Sequence, residues 1–298
     1  MNAPAQRPAG GRLYILLPVH NRRETTVRFA TALTAQTRRE FQLVLIDDGS
    51  TDGTADAVRA LCPAVEVVRG DGRWWWAGSL HEGCRHLSRR GVHDDDLVLF
   101  INDDVVIGPR FLEELTAEFA GLPDTLLLAR QTDARTGAEI DHGGGVRVDL
   151  DELRFAAARS PEEINCLPTR GLLLRWRDLR RTGGFHPRSL PHYLSDYEFT
   201  LRAQRHGLRL RVARTARVGV AMEQSGRSLG NLLAEPRSRR LALMFSRRFK
   251  DNPVTWSVFA WLAAPRVRVS YLWLKIWTHF LINAARCLVL PGPRGTGR

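Results

Sequence analysis

Two short acidic motifs in this sequence have the residue types that bind cations or hydrogen-bonding ligands. The first is "DDGS", which contains Asp47 and Asp48, and the second is "NDD", which contains Asp103 and Asp104. Carboxylates that lie close together repel each other unless a divalent cation or a hydrogen-bonding ligand neutralises them. Either motif alone is typical of a helix-capping or acidic turn, so its significance depends on the elements that position it.

Apolar runs alternate with helical patterns through the first half of the chain. Buried strands are predicted at residues 13–17, 43–46, 65–68, 97–101 and 125–129. This alternation predicts an α/β fold with a Rossmann-like, mostly parallel central sheet flanked by helices. Ligands bind beyond the carboxyl ends of the strands in such a sheet. Both acidic motifs directly follow predicted strands, as does "PVHN", so we expect the three motifs to meet in one crevice.

The stretch "GDGRWWWAGS" (70–79) follows the third predicted strand and contains three consecutive tryptophans. Because side chains alternate on a strand and rotate on a helix, three adjacent indoles cannot all share one buried face. We interpret the stretch as a loop in which glycines such as Gly70 let the backbone approach a ligand closely. We expect at least one of the three indoles to pack inward and at least one to face a ligand.

Four motifs taken together resemble those of a family 2 glycosyltransferase with the GT-A fold. They are "LLPVHN", "VLIDDGSTDGT", "FINDDV" and "YLSDYEFTLRAQRHG", and the resemblance covers roughly residues 12–225. The most similar subgroup has a "WWAG" loop and an "SDYEF" motif. The resemblance implies an inverting, metal-dependent enzyme that moves a sugar from a UDP- or dTDP-sugar donor. The acceptor would be a glycan or a lipid-linked molecule in cell-surface polysaccharide synthesis.

The resemblance also implies roles for individual residues. Asp196 would be the general base for the acceptor hydroxyl, and Asp104 would hold Mg²⁺ or Mn²⁺, which stabilises the leaving diphosphate. The acceptor would contact Thr169, Arg170 and Glu198. The donor-binding residues would be Pro18, His20, Asn21, Asp47, Asp48, Gly70, Trp75, Trp76, Asn102 and Asp103. Among the donor-binding residues, the two aspartates of "DDGS" are the candidates for contact with a uracil or thymine.

Three positions depart from the family pattern. The first residue of the acidic triplet is Asn102, and Ser195 precedes the expected base where relatives often have Glu. Many relatives also supply a late histidine to the metal, but the matching stretch "VGVAMEQSGRS" (218–228) contains none. Glu223 or water would then complete the metal site, and Arg227 is an alternative contact for the diphosphate.

The net charge of +12 is concentrated near the C-terminus. Residues 236–298 carry twelve Lys/Arg and one Asp, whereas residues 1–235 are close to neutral. Aromatic and aliphatic residues lie among these charges, and no charge-free run reaches the ~18 residues of a membrane-spanning helix. The pattern favours a helical segment that lies on an anionic membrane surface, with a packed helical subdomain or a homodimer interface as the alternative.

These features predict three regions and a location. The three regions are a loose tail (1–11), a GT-A catalytic domain (12–235) and a basic, aromatic-rich helical C-terminal segment (236–298). The catalytic domain would divide into a donor half, about 12–130, and an acceptor half, about 131–235. The four scattered cysteines indicate free thiols in a reducing compartment, and the N-terminus lacks the apolar core of a signal peptide. We expect a cytoplasmic protein, peripheral at the inner face of the plasma membrane.

Two other functions fit parts of the sequence. A sugar-nucleotide nucleotidyltransferase has a similar sheet, but it normally has a Gly-rich phosphate loop with a basic residue just after the first strand. The "PVHN" motif differs from such a loop. A basic nucleic-acid-binding protein would fit the net charge, but the charge here alternates with large apolar residues and is absent from the catalytic half. Nucleic acid is therefore not an expected partner.

Overall fold

The computed structural model describes residues 11–221 and 229–289 of the chain. The strands of this part are β1 (Leu13–Val19), β2 (Gln42–Asp47), β3 (Glu66–Arg69), β4 (Leu97–Phe100), β5 (Val105–Ile107), β6 (Thr125–Asp133), β7 (Val146–Asp149), β8 (Arg154–Ala157), β9 (Leu172–Arg175) and β10 (Arg209–Val220). Eight of them form one sheet in the order β3-β2-β1-β4-β9-β6-β10-β5, and β7 pairs with β8.

Helices cover the sheet and follow it at the C-terminal end. They are α1 (Arg23–Thr34), α2 (Thr54–Leu61), α3 (Trp75–Arg89), α4 (Phe111–Phe119), α5 (Asp141–Gly144), α6 (Trp176–Thr182), α7 (Ser195–Arg205), α8 (Leu229–Leu233), α9 (Arg237–Met244), α10 (Pro253–Ala263) and α11 (Val269–Val289). Short 3₁₀ turns lie at Pro161–Glu163 and Arg266–Arg268.

The large sheet is mostly parallel, as predicted. Strand β1 pairs in parallel with β2 and β4, β2 with β3, and β6 with β10. Strand β9 runs antiparallel between β4 and β6, and β5 pairs antiparallel with β10. The expected fold class is confirmed: an α/β central sheet is flanked by helices and followed by a C-terminal helical extension. The carboxyl ends of β1, β2 and β4 lie side by side at one edge of this sheet.

The apolar runs form strands because both faces of the sheet are buried. Leu13, Ile15 and Leu17 of β1 contact the core on one face, and Tyr14 and Leu16 contact the core on the other. Since neighbouring residues of a strand point to opposite faces, a run without polar residues fits a strand covered on both sides. The two cores fix the strands whose ends carry the polar motifs.

The C-terminal helices pack against the rest of the chain. Phe259 of α10 is fully buried in a cluster with Leu190, Leu194 and Leu201. Its ring lies 5.7 Å from that of Phe155 in β8. The domain boundary at residue 236 stays a prediction, and α10 shares a hydrophobic core with residues that precede it.

Helix α11, with 21 residues, has one buried and one exposed apolar side. Leu272 and Phe280 face the protein, whereas Tyr271, Leu274 and Leu281 are more than half exposed. Within residues 11–221 and 229–289, no helix combines the length and the apolar character needed to cross a membrane.

Candidate active site

The loops after β1 and β2 are tied together by hydrogen bonds. His20 Nδ1 lies 2.6 Å from the backbone oxygen of Asp48, and the backbone N–H of Asn21 donates to Ser50 Oγ at 2.9 Å. Pro18, near the end of β1, is partly buried, and its contact with the donor stays a prediction. These hydrogen bonds bring the "PVHN" and "DDGS" motifs into one continuous surface, as the order of the strands led us to expect.

The two carboxylates of "DDGS" are buried and hydrogen-bonded within the protein. Asp47 Oδ1 accepts from the backbone N–H of Ser50 at 2.9 Å. Asp48 is 4% exposed, and its two oxygens accept from the backbone N–H groups of Gly72 at 2.8 Å and Trp75 at 3.0 Å. Asp48 thus holds the tryptophan stretch, and its contact with a uracil or thymine stays a prediction. The contact of Asp47 with the base stays a prediction.

The tryptophan stretch contains the start of a helix, which corrects its interpretation as a loop. Helix α3 begins at Trp75, whose φ of 58° lies in the left-handed region that side chains disfavour. Asp48 stabilises this conformation by accepting the Trp75 N–H. Gly70 is required by packing, since a Cβ there would lie 2.6 Å from Asp48 Oδ1 and 2.7 Å from the Trp74 ring. The groups that approach Gly70 closely are thus those of Asp48 and Trp74, and a contact of Gly70 with the donor stays a prediction.

Two of the three indoles pack inward, as expected. Trp74 and Trp76 contact the core on one face of the sheet. The Trp76 Nε1–H donates to Asn102 Oδ1 at 3.4 Å, which connects the helix start to the end of β4. Trp75 lies beside His192, with ring centroids 5.8 Å apart. Contacts of Trp75, Trp76 and Asn102 with a donor stay predictions.

The acidic triplet after β4 contains one buried and one exposed aspartate. Asp103 is buried, accepts from Thr26 Oγ1 at 2.8 Å and lies 3.3 Å from Arg22 Nε. Burial raises the pKa of Asp103, and the nearby guanidinium and hydroxyl partly oppose this rise. Asp104 has 39% of its side chain exposed and lies 3.4 Å from Arg22 Nη2. Asp103 therefore anchors the loop and its donor contact stays a prediction, whereas Asp104 is the more exposed carboxylate of the triplet.

Arg22 is a site residue that the sequence analysis missed. Its guanidinium contacts both Asp103 and Asp104 and thus balances part of their negative charge. The sequence held a signal for this residue. Arg22 directly follows the "PVHN" motif, and that motif was already expected to lie beside the acidic triplet.

The metal expectation rests on Asp104. In the described ranges 11–221 and 229–289, no group of three or more His, Cys, Asp or Glu side chains is arranged to hold a metal ion. Mg²⁺, however, is commonly held by one or two carboxylates together with substrate phosphates and water, and an exposed Asp104 fits that role. Glu223 and Arg227, named as further candidates, lie outside the described residues.

Asp196, at the start of α7, lines a cavity of about 360 Å³. Gln131, Arg170 and Tyr197 also line this cavity. Burial raises the pKa of Asp196 to about 6, although the N–H of Tyr197 and the charge of Arg170 oppose the rise. A carboxylate whose pKa lies close to neutral is suited to general-base catalysis.

Two of the residues expected to contact the acceptor are buried, and their acceptor contacts stay predictions. Thr169 is 2% exposed. Glu198 is 3% exposed, and its oxygens accept from Arg202 Nε and Nη2, both at 2.8 Å. Arg202 also donates to the backbone oxygen of Gly184 at 2.7 Å, so the pair fixes α7 to the preceding loop. Arg170 lines the same cavity as Asp196, and its contact with the acceptor stays a prediction.

Two family models match this chain. The family model for glycosyl transferase family group 2 matches residues 97–292, which is more than half of the chain. The chain belongs to glycosyl transferase family group 2. A second model, glycosyl transferase family 2, matches residues 14–143 of this family member.

The curated relatives of this family member are similar over part of its length. Validoxylamine A glucosyltransferase of Streptomyces hygroscopicus subsp. jinggangensis (strain 5008) is 30% identical over 114 residues, which are 37% of this chain and 26% of that protein. The protein of the same name from subsp. limoneus is also 30% identical over 114 residues, 37% of this chain and 24% of that protein. The chain thus spans about a quarter of the length of the curated relatives it matches.

Solved structures are similar to this family member over nearly its whole length. GalNAc-T7 with UDP, GalNAc and Mn²⁺ has a TM-score of 0.61 at 14% identity, covering 96% of this chain and 52% of that one. Mannosyltransferase PcManGT from Pyrobaculum calidifontis, in complex with GDP-Man and Mn²⁺, has a TM-score of 0.55 at 17% identity, covering 96% and 88%. S. aureus TarS has a TM-score of 0.57 at 16% identity, covering 93% and 55%. These similarities concern the fold, and they confirm the expected GT-A architecture.

Proposed function

We propose that this member of glycosyl transferase family group 2 is an inverting, metal-dependent glycosyltransferase. It moves a sugar from a UDP- or dTDP-sugar to a glycan or lipid-linked acceptor in cell-surface polysaccharide synthesis. The observation that carries the proposal is Asp196, a carboxylate with a pKa of about 6 that lines a 360 Å³ cavity together with Arg170. Membership of the family supports it.

Inversion requires a single displacement at the anomeric carbon of the donor sugar. Asp196 takes the proton of the acceptor hydroxyl while the acceptor oxygen forms its bond to that carbon. The bond between the carbon and the donor phosphate oxygen breaks, and the nucleoside diphosphate leaves with the bonding electrons. Mg²⁺ or Mn²⁺, when bound, neutralises charge on the leaving diphosphate, and Asp104 is the residue that would hold it.

The donor lies beyond β1, β2 and β4 in this proposal. Asp47 accepts from the imide N–H of the pyrimidine, and His20 and Asn21 form the neighbouring surface. Trp76 packs against the core but is only half-buried, and its indole N–H is fixed by Asn102, so the remaining exposed part of its ring offers a surface against which the sugar stacks. Stacking on an aromatic side chain contributes about 1–3 kcal/mol for a nucleobase, and a sugar face is expected to contribute on a similar scale.

The reaction should be tested with the full chain, UDP- and dTDP-sugars, Mn²⁺ and a panel of free and polyprenyl-linked glycans. We expect nucleoside diphosphate and glycosylated product in equal amounts, with an anomeric configuration opposite to that of the donor when measured by NMR. Retained configuration would exclude inversion. Formation of a nucleotide sugar from a sugar phosphate and a nucleoside triphosphate would instead indicate a nucleotidyltransferase.

The pH dependence follows from the raised pKa of Asp196. A general base works only when it is deprotonated, so kcat/KM should fall about tenfold per pH unit below pH 6 and reach a plateau above it. Initial rates of nucleoside diphosphate release, measured in overlapping buffers, give this profile. A rate that stays constant down to about pH 4.5 would show that the base has an ordinary carboxylate pKa and is not Asp196.

We also propose that the chain works at the cytoplasmic face of the plasma membrane, bound to its anionic surface. The exposed side of α11 carries Tyr271, Leu274 and Leu281, and Trp261 of α10 lies under the guanidinium of Arg266 at 4.0 Å. Residues 236–298 carry twelve Lys/Arg and one Asp. Apolar side chains with surrounding basic residues are typical of a helix in the membrane interface.

Replacing Leu274 and Leu281 together by glutamate should lower affinity for anionic liposomes at least about tenfold. Removal of a leucine from water contributes about 1.5–3 kcal/mol, and glutamate is repelled by the leaflet. Sedimentation with phosphatidylglycerol vesicles measures the effect. Leu61→Glu, on exposed α2, is the matched control. Point substitutions are preferable to truncation because α10 shares a core with the catalytic domain.

The homodimer alternative makes the opposite forecast for the same proteins. The wild-type chain would then remain in the supernatant with anionic and neutral vesicles. The double variant would shift from dimer to monomer in sedimentation velocity. Either observation would contradict the membrane proposal.

A further inference from the structure

The turn between α9 and α10 brings two arginines of the C-terminal segment over a tryptophan of the active site. Arg247 Cζ lies 5.7 Å from the ring centroid of Trp75, and Arg248 Cζ lies 5.9 Å from it. Trp75 is itself bound to Asp48 through its backbone N–H. The two guanidinium groups therefore lie near the carboxyl end of β2, although they follow it in sequence by the length of a domain.

This turn is held at several points. Phe249 is 1% exposed within the C-terminal hydrophobic cluster. Asn252 caps α10 and donates its side-chain N–H to the backbone oxygen of Ser246 at 3.1 Å. The Trp256 Nε1–H donates to the backbone oxygen of Lys250 at 3.0 Å. Contacts of the residues that flank Arg247 and Arg248 therefore fix the position of this turn, and the two arginine side chains do not.

The arginine pair has no partner of opposite charge in the part of the chain that the structure describes. Both side chains are exposed, and neither forms a hydrogen bond or ion pair with another described residue. The active-site arginines Arg22 and Arg202, in contrast, are paired with carboxylates. With respect to residues 11–221 and 229–289, the pair therefore presents two positive charges with unused hydrogen-bond donors.

The segment opposite the pair leads into the expected base. His192 lies against the ring of Trp75, and its Nδ1 is buried without a hydrogen-bond partner among the described residues. Burial lowers the pKa of His192, and the charge of Arg248 lowers it further. Because the lowered pKa favours a neutral His192, the two arginines supply the positive charge beside Trp75. Four residues further along the same segment lies Asp196, at the start of α7.

We propose that Arg247 and Arg248 bind a diphosphate group at the entrance of the active site, beside Trp75. The inference rests on the proposed function, in which the nucleotide-sugar donor and a lipid-linked acceptor can each carry such a group. Planar guanidinium groups match phosphate oxygens in pairs of hydrogen bonds. The contact with the indole face orients the guanidinium planes before a ligand arrives.

The test is isothermal titration of inorganic pyrophosphate, UDP and farnesyl diphosphate into the full chain. The double variant Arg247→Ala/Arg248→Ala should bind pyrophosphate at least about tenfold more weakly than the wild type, because hydrogen bonds to charged groups are among the stronger ones. A matching loss for UDP identifies the donor diphosphate as the ligand, and a matching loss for farnesyl diphosphate identifies a lipid-linked acceptor.

The double variant Arg237→Ala/Arg239→Ala removes the same charge from exposed positions of α9 and should bind pyrophosphate within about twofold of the wild type. Unchanged pyrophosphate affinity after loss of Arg247 and Arg248, or an equal loss in the control, would overturn the proposal. Because these titrations involve no sugar transfer, failure here is distinct from failure of the transfer assay. Thermal unfolding of both variants confirms that the protein measured is folded.

Discussion

Replacing Asp196 by asparagine is expected to lower the rate of sugar transfer at least about a hundredfold. The amide keeps the shape of the carboxylate but cannot take the proton of the acceptor hydroxyl. Burial raises the pKa of Asp196 to about 6, so the wild-type group is mostly deprotonated at neutral pH and ready to act as a base. Donor affinity should stay within about twofold, because the contacts proposed for the donor lie at the ends of β1, β2 and β4.

Turnover and isothermal titration of the donor, measured on the same preparation, separate these two effects for Asp196→Asn. Asp56→Asn, on the surface of α2 with 78% of its side chain exposed, is the matched control and should behave as wild type. A near-normal rate for Asp196→Asn would move the base elsewhere. Glu198 is a poor alternative in that case, because Arg202 binds both of its oxygens.

Replacing Asp104 by alanine should abolish the gain in donor affinity that Mn²⁺ gives the wild-type chain. The reason is that Asp104 is the exposed carboxylate of the triplet, whereas Asp103 is buried and hydrogen-bonded to Thr26. The fold should remain intact, since the described contact of the Asp104 side chain is an ion pair with partly exposed Arg22. Titration of the donor with and without Mn²⁺ measures the effect.

Asp56→Ala provides the control for the loss of a surface carboxylate. If Asp104→Ala keeps a Mn²⁺-dependent gain equal to that of the wild type, the metal is held by other groups. Melting temperatures within about 2 °C of the wild type would show that the change affects the site and not the fold.

Five strands of the sheet could be predicted from the sequence because they are runs of mostly apolar residues. The other three, β5, β9 and β10, were not predicted, and β10 carries arginines at exposed positions among its buried residues. A strand such as β1 consists almost entirely of apolar residues, and this pattern identifies it without any long-range information. Once the strands were placed, the rule that parallel strands bind ligands at their carboxyl ends brought "PVHN", "DDGS" and "NDD" together. The convergence of these motifs needed no knowledge of side-chain contacts.

The sequence could not show which groups of the protein each carboxylate contacts, because this depends on tertiary structure. Asp48 and Asp103 have the residue type of ligand-binding groups, but backbone N–H groups of Gly72 and Trp75 reach the first, and Thr26 reaches the second. The start of α3 at Trp75 was missed for the same reason, since it depends on a hydrogen bond to Asp48.

Glu198 is a case in which the sequence held a usable signal. Residues two apart on a helix point about 200° apart around its axis, so Asp196 and Glu198 could not both face one cavity once they lay on α7. The contact of Arg247 and Arg248 with Trp75, in contrast, joins residues far apart in the chain, and no local pattern indicates it.

Thermal unfolding of the full chain with UDP- and dTDP-sugars, each with and without Mn²⁺, tests most directly whether the crevice is a nucleotide-sugar site. A ligand at a hundred times its Kd adds about 2.7 kcal/mol to the stability of the native state. We expect one class of nucleotide sugar to raise the Tm by roughly 5–10 °C with Mn²⁺ and much less without it. An unchanged Tm for every donor, or equal shifts when the metal is chelated, would contradict a metal-dependent glycosyltransferase.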